Sequence, residues 1–463
     1  MTAPPGPPPP PLAGGADGPD ALRPLLDTVL DALAAGARAR SGPLPAGGPD
    51  AVGAEVTAAL GALLPEHGTG PHEALRTLVH VLARGAADPA HPLCAGHLHG
   101  PPLAVAAAAD LAAGALNPSL DSWDQAPAAS VLEALLTRTL AAELYPTPQP
   151  DALITTGGTE ANHLALLLAR ERHGPALTVV HGANAHHSVP RAAWLLGLPP
   201  TLSLPTPAGV LDPRHVDDVL ARTSGPALVT ATAGTTDAGL IDPLDALAET
   251  CVRHGAELHV DAAYAGPLAL SPRHRHLLSG LHRARSITLD LHKLGWQPVA
   301  AGLLAVPDTG HLTPLAHRAD YLNAADDTEA GLPDLLGRSL RTTRRPDALK
   351  IAATLRALGR DGVARLIDHT LGLARHLAEL IDAHPAFTLH APPTLTTVLF
   401  RPTHATDTDV ADLRRSLLHR GHAVLGRATA DGRLWLKATL LNPHTTPQDL
   451  TTLLTLLEGS TPR

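Results

Sequence analysis

The chain has 463 residues, a formal net charge of −9 and an apolar content of 44%. This length predicts more than one domain, and the apolar content is typical of a globular protein with a sizeable core. The acidic balance excludes nucleic acid as the main partner, because no surplus of basic residues exists to neutralise phosphates. No apolar run is long enough to span a bilayer, and we expect no membrane partner.

The N-terminus and the cysteines indicate the compartment. Residues 1–19 are rich in proline and predict a disordered tail without the basic-then-apolar pattern of a signal peptide. The two cysteines, Cys94 and Cys251, lie far apart in sequence, which is typical of a reducing compartment rather than of a disulfide-stabilised protein. We therefore expect a cytoplasmic protein.

Three regions follow the tail. Residues 20–90 alternate Ala- and Leu-rich stretches with Gly and Pro breaks, which predicts a helical segment. Residues 91–346 are assigned to a large domain, because short apolar runs alternate with helical stretches there, as in α/β proteins with a largely parallel sheet. Residues 347–463 begin with long helical stretches and predict a smaller α+β domain. The predicted strands of the large domain are 151–155, 177–181, 227–233, 257–261 and 286–290.

Lysine is rare, and Lys293, Lys350 and Lys437 are the three in the chain. Lys293 follows the carboxyl end of the apolar run 286–290, where ligands bind in open α/β sheets. Burial there disfavours the charged ammonium, so the free amine becomes a nucleophile that can form an imine with an aldehyde. A lysine exposed on a loop is the alternative interpretation, and the favoured one if this residue is considered alone.

Asp261 ends another predicted strand, ELHVD, and makes a catalytic role for Lys293 more credible. A carboxylate at this point can pair with a pyridine nitrogen and keep it protonated, which makes the ring an electron sink. The small side chains of Ala262 and Ala263 would let a flat ring lie close to the backbone. An aspartate that caps a turn is the alternative.

A Gly-rich turn follows the strand at 151–155 and opens a helix. Gly158 and its neighbouring glycine let the backbone approach a phosphate, the helix N-terminus offers N–H groups, and Thr159 adds a hydroxyl. Alone, this pattern also fits an ordinary strand-to-helix turn. Further along, His186 or His187 could stack on a flat ring, and Thr236 follows another strand from which a hydroxyl could reach the ligand.

Together these segments resemble the group II pyridoxal-phosphate decarboxylases of fold type I, which act on aromatic amino acids, glutamate, histidine or diaminobutyrate. The resemblance extends from about residue 90 to 458. It is carried by GGTEAN (157–162), AHHSV (185–189), GTTDAG (234–239), HVDAAYAG (259–266) and DLHKLGW (290–296).

The resemblance implies a large domain with a mainly parallel seven-stranded sheet, a small C-terminal domain and pyridoxal 5'-phosphate on Lys293. It selects His186 over His187 as the stacking residue and places Asp290 and His292 near the phosphate and the imine. The implied catalytic residues are thus Lys293, His186 and Asp261. The implied cofactor contacts are these three with Gly158, Thr159, Thr236, Ala263, Asp290 and His292. A homodimer with an exchanged N-terminal segment is also implied.

The segment 91–133 is similar to the diaminobutyrate and siderophore-type diamino-acid decarboxylases, a branch that contributes to siderophore or polyamine biosynthesis. This similarity favours an aliphatic diamino acid as substrate, namely 2,4-diaminobutyrate, ornithine or lysine. His99, Asp121 and Asp124 are candidate substrate residues, the aspartates as partners for a distal ammonium group. Turn or cap aspartates are the alternative. His97 and His99 lack the partners of a metal site, and we expect no metal.

One departure from the family leaves the reaction open. Leu335 occupies the place of a loop tyrosine that is thought to protonate the carbanion in the aromatic-type enzymes. His186, Tyr321 or a water molecule is then the candidate donor. Alternative functions are decarboxylation of an aromatic or acidic amino acid, a decarboxylating aldehyde synthase, a transaminase, or an inactive cofactor-binding relative.

Overall fold

A computed structural model of the chain describes residues 9–316 and 322–460. Its helices are α1 (Gly18–Arg40), α2 (Gly48–Leu60), α3 (Pro71–Gly85), α4 (Ala104–Leu116), α5 (Pro127–Leu144), α6 (Gly158–His173), α7 (Ser188–Leu195), α8 (Pro213–Leu220), α9 (Leu244–His254), α10 (Ala325–Glu329), α11 (Ala348–Asp382), α12 (Asp407–His419) and α13 (Pro447–Ser460). Its strands are β1 (Cys94–Ala95), β2 (Asp151–Thr155), β3 (Thr178–Gly182), β4 (Leu202–Leu204), β5 (Ala227–Thr232), β6 (Glu257–Asp261), β7 (Ser286–Asp290), β8 (Gly302–Val306), β9 (Phe387–Leu389), β10 (Thr397–Pro402), β11 (Val424–Ala430) and β12 (Arg433–Thr439).

The larger sheet has seven strands in the order β2-β8-β7-β6-β5-β3-β4. Strand β8 runs antiparallel to both of its neighbours, β2 and β7, while the pairs from β7 to β4 are parallel. This arrangement confirms the predicted α/β fold with a mainly parallel seven-stranded sheet. The carboxyl ends of the parallel strands therefore meet at one edge.

Helices cover both faces of this sheet, and strand periodicity decides which residue faces which helix. In β2, Ile154 faces the side of the sheet that α5 covers, whereas Leu153 packs on the opposite face against α6. Val229 and Leu228 of β5 divide between the two faces in the same way. Because both faces are buried, these strands consist largely of apolar residues, as expected for parallel sheets.

The second sheet has five strands in the order β1-β11-β12-β10-β9 and packs against α11, α12 and α13. Strand β1 pairs in parallel with β11, Cys94 opposite Val424, although residue 94 lies within the range that the sequence assigns to the large domain. The division of the chain at residues 91 and 347 remains a proposal. Helix α11 packs against α4, α5 and α13, and so contacts helices that cover each of the two sheets. It kinks at Gly359.

The N-terminal region is helical in the structure, with α1 packed along α3. Helix α1 begins at Gly18, one residue before the predicted end of the Pro-rich tail at Pro19. Residues 1–8 of that tail lie outside the described residues. Within the described ranges no helix combines the length and apolarity needed to cross a bilayer.

Candidate active site

A cavity of about 270 Å³ lies where the carboxyl ends of β2, β5, β6 and β7 meet. It is lined by Leu98, Thr156, Gly157, Gly158, Thr159, His186, Thr232, Gly234, Thr236, Asp261, Ala263, Tyr264, Asp290, His292 and Lys293. The nine residues that the sequence predicted as cofactor contacts are all among these. The sheet brings them together because each follows a strand that ends at this edge.

Lys293 lies in the turn between β7 and β8. Its Nζ is 3.0 Å from Asp290 Oδ2, and Asp290 is buried at the end of β7. The turn is held by the Leu291 N–H, which donates to Ala301 O at 2.8 Å, and by the Gln297 N–H, which donates to Leu291 O at 3.0 Å. These bonds direct Lys293 into the cavity rather than toward bulk solvent.

His292 extends the lysine turn. Its Nε2 lies 3.5 Å from Asp290 Oδ2, and its Nδ1 lies 3.3 Å from Ala301 O. Burial lowers the pKa of His292, although the neighbouring Asp290 carboxylate opposes this effect. The imidazole is therefore favoured as the neutral form beside the ion pair of Lys293 and Asp290.

Asp261 ends β6 with both carboxylate oxygens engaged. Oδ1 accepts the Ala263 N–H at 3.1 Å, and Oδ2 accepts a bond from Asn162 Nδ2 at 2.7 Å. The residue is 5% exposed, so these bonds compensate much of the unfavourable burial of a charge. Each oxygen retains a second lone pair, with which it can accept a hydrogen bond from a ligand in the cavity.

The turn between β2 and α6 leaves room for a ligand. Gly157 has φ +152°, and a Cβ there would come within 3.0 Å of His292 Cε1. A Cβ on Gly158 would come within 3.0 Å of Ala263 Cβ, and therefore neither position tolerates a side chain without rearrangement. Helix α6 begins at Gly158, and the N–H groups of its first turn lack intrahelical acceptors. Together these features suit the binding of an anion.

Thr156 and Thr159 contribute differently to this turn. The N–H and hydroxyl of Thr156 donate to Glu160 Oε2 at 2.6 and 2.8 Å, which uses the hydroxyl proton within the protein. Thr159 lies in the first turn of α6 and is exposed to the cavity. Among the two hydroxyls, that of Thr159 is therefore the better phosphate donor.

His186 lines the cavity, whereas His187 is exposed outside it with its ring centroid 4.2 Å from that of His186. The sequence could separate these two histidines only through the family resemblance, and the structure places the same one at the cavity. His186 Nδ1 lies 2.8 Å from Ser188 Oγ. Burial lowers the pKa of His186, which favours the neutral ring.

The candidate substrate residues lie elsewhere in the single chain. His99 is exposed near the cavity mouth, next to Leu98, which lines the cavity. Asp121 is buried in its own turn, where it accepts bonds from Ser119 Oγ and Gln125 Nε2, both at 2.8 Å. Asp124 is exposed. Neither aspartate lines the cavity.

The candidate proton donors are only partly located. Leu335 is buried away from the lining residues, and Tyr321 lies outside the described residues. Within the described ranges no group of three or more His, Cys, Asp or Glu side chains could hold a metal ion.

Two residues at the cavity edge, Tyr264 and Lys437, are not among the predicted site residues, although the sequence predicts a structural or ionic role for Lys437. Tyr264 lines the cavity, and its hydroxyl lies 2.7 Å from Thr396 Oγ1 of the segment before β10. Lys437, on β12, donates from Nζ to Thr236 O at 3.0 Å, and burial lowers its pKa. The contact of Lys437 with Thr236 has a sequence signal, because Lys437 lies within an apolar strand of a chain that contains few lysines.

Residues 73–403 match the family described as the pyridoxal-dependent decarboxylase conserved domain. The chain belongs to the pyridoxal-dependent decarboxylases. The predicted family, the enzyme class and the pyridoxal-phosphate cofactor are thereby confirmed.

Two relatives that match most of the chain are L-2,4-diaminobutyrate decarboxylases. The chain is 42% identical to an L-2,4-diaminobutyrate decarboxylase of Rhizobium meliloti, over 83% of this chain and 81% of that one. It is 32% identical to an L-2,4-diaminobutyrate decarboxylase of Acinetobacter baumannii, over 84% of each. A crystal structure from Vibrio parahaemolyticus has a TM-score of 0.87 and 31% identity over 97% of each chain. Its protein is the glutamate decarboxylase domain of diaminobutyrate-pyruvate transaminase and L-2,4-diaminobutyrate decarboxylase.

The residues at the cavity fit pyridoxal phosphate. The glycine turn and the N-terminus of α6 suit a phosphate, and Asp261 suits the ring nitrogen. Asp290 Oδ1 is buried and has no hydrogen-bond partner within the described part of the chain, which is expected of a polar atom that faces a bound polar group. Lys293, beside it, supplies the amine that an aldehyde requires.

Proposed function

We propose that this chain removes the α-carboxyl group of an aliphatic L-diamino acid, with 2,4-diaminobutyrate as the first candidate and ornithine and lysine as alternatives. The observation that carries the proposal is the convergence of Lys293, Asp261 and His186 on one cavity in a chain whose relatives include two diaminobutyrate decarboxylases. The products are the corresponding amine and CO₂.

Pyridoxal phosphate, when bound, supplies the electron sink that accepts the electrons released as the carboxyl group leaves. Asp261 holds a proton at the ring nitrogen, and this proton makes the ring a strong acceptor. The N–H groups at the start of α6, with Thr159, hold the phosphate and so fix the position of the ring.

Lys293 supplies the amine that anchors the cofactor between turnovers. Asp290 Oδ2, 3.0 Å from Lys293 Nζ, holds this amine by a charge-assisted contact and can exchange a proton with it. His186 lines the cavity beside the start of α7, where its imidazole would stack on the ring of the cofactor and limit the water in the cavity.

Recognition of a distal ammonium group needs a carboxylate, and the two carboxylates that line the cavity are already engaged. Asp261 bonds to Asn162 and the Ala263 N–H, and Asp290 pairs with Lys293. We therefore assign recognition to a carboxylate that a partner subunit brings to the cavity. Asp124, which is exposed, is our first candidate for this carboxylate, and His99 and Asp121 are less favoured candidates for substrate recognition.

A homodimer supplies such a partner. Exposed leucines lie on α1 and α3, two helices that pack along each other: Leu30 is 63% exposed and Leu82 is 65% exposed. Large apolar side chains grouped on neighbouring helices favour an interface over solvent. The dimer and the expected cytoplasmic location both stand as proposals, and light scattering coupled to gel filtration tests the first.

The test of the function is CO₂ release from a panel of amino acids. The purified protein, loaded with pyridoxal phosphate, is incubated with 2,4-diaminobutyrate, ornithine, lysine, glutamate and an aromatic amino acid. We expect the largest kcat/KM for one of the diamino acids. Preference for glutamate or the aromatic substrate would overturn the substrate assignment, and no CO₂ release from any of them would overturn the function.

A decarboxylating aldehyde synthase is the second candidate, because Leu335 stands in place of the loop tyrosine. The same assay separates the two reactions, since the synthase consumes O₂ and water and releases ammonia and hydrogen peroxide in step with CO₂ and the aldehyde. A decarboxylase releases the amine without either product.

A further inference from the structure

A fully buried amide lies between Asp261 and His186. Asn162, on α6, donates from Nδ2 to Asp261 Oδ2 at 2.7 Å and to Ser188 Oγ at 2.8 Å. Its Oδ1 accepts from Thr288 Oγ1 at 2.7 Å and lies 3.0 Å from His259 Nε2. Two donors and two acceptor positions are thus all used, which is the full capacity of an asparagine side chain.

The carboxylate determines which way this amide points. An ionised carboxylate can only accept hydrogen bonds, so Nδ2, and not Oδ1, faces Asp261. Oδ1 then faces β6 and β7, and His259 must donate to it from Nε2. His259 Nδ1 in turn accepts from Ser286 Oγ, 2.9 Å away. Burial lowers the pKa of His259 to about 4, which keeps this ring neutral.

The second bond from Nδ2 leads to His186. Ser188 Oγ accepts from Asn162 and lies 2.8 Å from His186 Nδ1, to which the Ser188 N–H also donates at 3.3 Å. A ring nitrogen that accepts a backbone N–H carries no proton. Neutral His186 therefore has its proton on Nε2.

We propose that Asn162 is a positioning residue that couples Asp261 to His186. It holds the carboxylate against the ring nitrogen of the cofactor and, through Ser188, fixes the imidazole as the Nε2–H tautomer. A hydrogen bond donated to a carboxylate also favours its anionic form, which keeps the proton on the ring. The inference rests on the proposed function, because it concerns the groups that hold the cofactor.

A purely structural role accounts less well for an amide here. Its α6 neighbours Ala161, Leu164 and Ala165 are buried apolar residues, and a residue like them could fill the position. Burying an amide is unfavourable unless every hydrogen bond is made. Here the partners come from β6, β7 and the start of α7, which approach one another only beneath the cavity.

Asn162→Asp is the most direct test, because it keeps the shape and the acceptor toward Thr288 and His259. The introduced carboxyl donates to Asp261 only while it is protonated, and two adjacent carboxyls raise the pKa of one of them. We expect kcat near the wild-type value in acid and a loss of about tenfold as the pH rises, since a charge-assisted hydrogen bond is removed. We expect the pH dependence of the bound cofactor's visible absorbance to shift over the same pH range as kcat.

Asn162→Ala and Ser188→Ala complete the test. Asn162→Ala carries no titratable group, so we expect lower kcat at every pH and a shifted absorbance profile. Ser188→Ala keeps the bond to Asp261 and removes the link to His186. If the two residues act as one unit, the double variant loses less than the product of the two single losses.

Asn442→Ala is the matched control, because Asn442 is a buried amide that donates to Ala90 O at 2.7 Å outside the cavity lining. We expect it to lower stability without moving the absorbance profile. A wild-type absorbance profile in both Asn162→Asp and Asn162→Ala would overturn the inference. Absence of cofactor absorbance and CO₂ release in the unmutated protein would instead overturn the proposed function.

Discussion

Lys293 Nζ lies 3.0 Å from Asp290 Oδ2, at the carboxyl end of β7 and inside the cavity. Asp290 is 2% exposed, so the pair is shielded from the water that would weaken its attraction. The amine of Lys293 is therefore held in one place, from which it could bond to the aldehyde of the cofactor.

Replacement of Lys293 tests the anchor. We expect Lys293→Ala to lose both the visible absorbance of the lysine-bound cofactor and CO₂ release, because Lys293 is the one lysine among the described residues that line the cavity. Lys350→Met is the control, since Lys350 pairs with Asp347 at 3.1 Å and Asp110 at 3.3 Å away from the lining residues. It should lower the melting temperature and keep the absorbance. Retention of both signals in Lys293→Ala would contradict the assignment.

Replacement of Asp261 tests the electron sink. We expect Asp261→Asn to lower kcat by about 10²–10³-fold, the range found when a preorganised electrostatic contact in an active site is removed. The cofactor should still bind, since Lys293 and the glycine turn are unchanged. Absorbance titration with pyridoxal phosphate and steady-state kinetics measure the two effects separately. An unchanged kcat would show that another group protonates the ring.

The buried imidazole of His259 predicts an acid-sensitive fold. Its pKa falls from 6.5 to about 4 on folding, because burial disfavours the charged ring, and the Asp261 carboxylate only partly opposes this. Between these two values the unfolded chain binds more protons, so stability falls as the pH is lowered from 6.5 toward 4. This residue contributes at most about 1.4 kcal/mol per pH unit.

Thermal unfolding at a series of pH values measures this effect. We expect His259→Gln, which cannot titrate, to have a shallower fall of melting temperature between pH 6.5 and 4 than the unmutated protein. Its melting temperature at neutral pH should be lower, because the hydrogen bond to Asn162 is changed. An identical slope in both proteins would assign the acid sensitivity to other histidines.

The buried ion pair of Arg344 and Glu133 anchors the segment before α11 to α5. Arg344 Nη1 lies 2.9 Å from Glu133 Oε2, and both side chains are nearly inaccessible. Removing one partner strands a buried charge, so we expect Arg344→Met to lower the free energy of unfolding by about 3–5 kcal/mol. Arg344→Met combined with Glu133→Leu should recover much of this loss. Denaturant titration of the three proteins distinguishes the cases.

Asp124 tests substrate recognition. If a partner subunit brings Asp124 to the cavity, Asp124→Asn raises KM for a diamino acid by about tenfold with little change in kcat, because a charge-assisted contact is lost in both ground and transition states. Asp121→Asn is the companion variant, and its main effect should be on stability, because Asp121 is bonded within its own turn. An unchanged KM in both variants would remove these aspartates from the substrate site.

Much of the large domain could be predicted from short apolar runs. The predicted strands at 151–155, 257–261 and 286–290 agree with β2, β6 and β7 at both ends. Strands β4 and β8 were not predicted. Strand β4 has three residues, too few for a pattern. Strand β8 is a short apolar run like the predicted strands, and such a run fits a buried helix segment equally well.

The sequence by itself determined the family and the cofactor, through the motifs that it shares with the family. It also determined which residues meet at the cavity, because each of them ends or follows a strand that ends at the same edge of the sheet. Only the tertiary structure decided which side chains touch. Asn162 is 99 residues from Asp261 and Lys437 is 201 residues from Thr236. Contacts of this kind depend on how α6 and β12 pack against the sheet. Local sequence patterns carry no record of that packing, whereas the alternation within β6 does place His259 and Asp261 on the same face as α6.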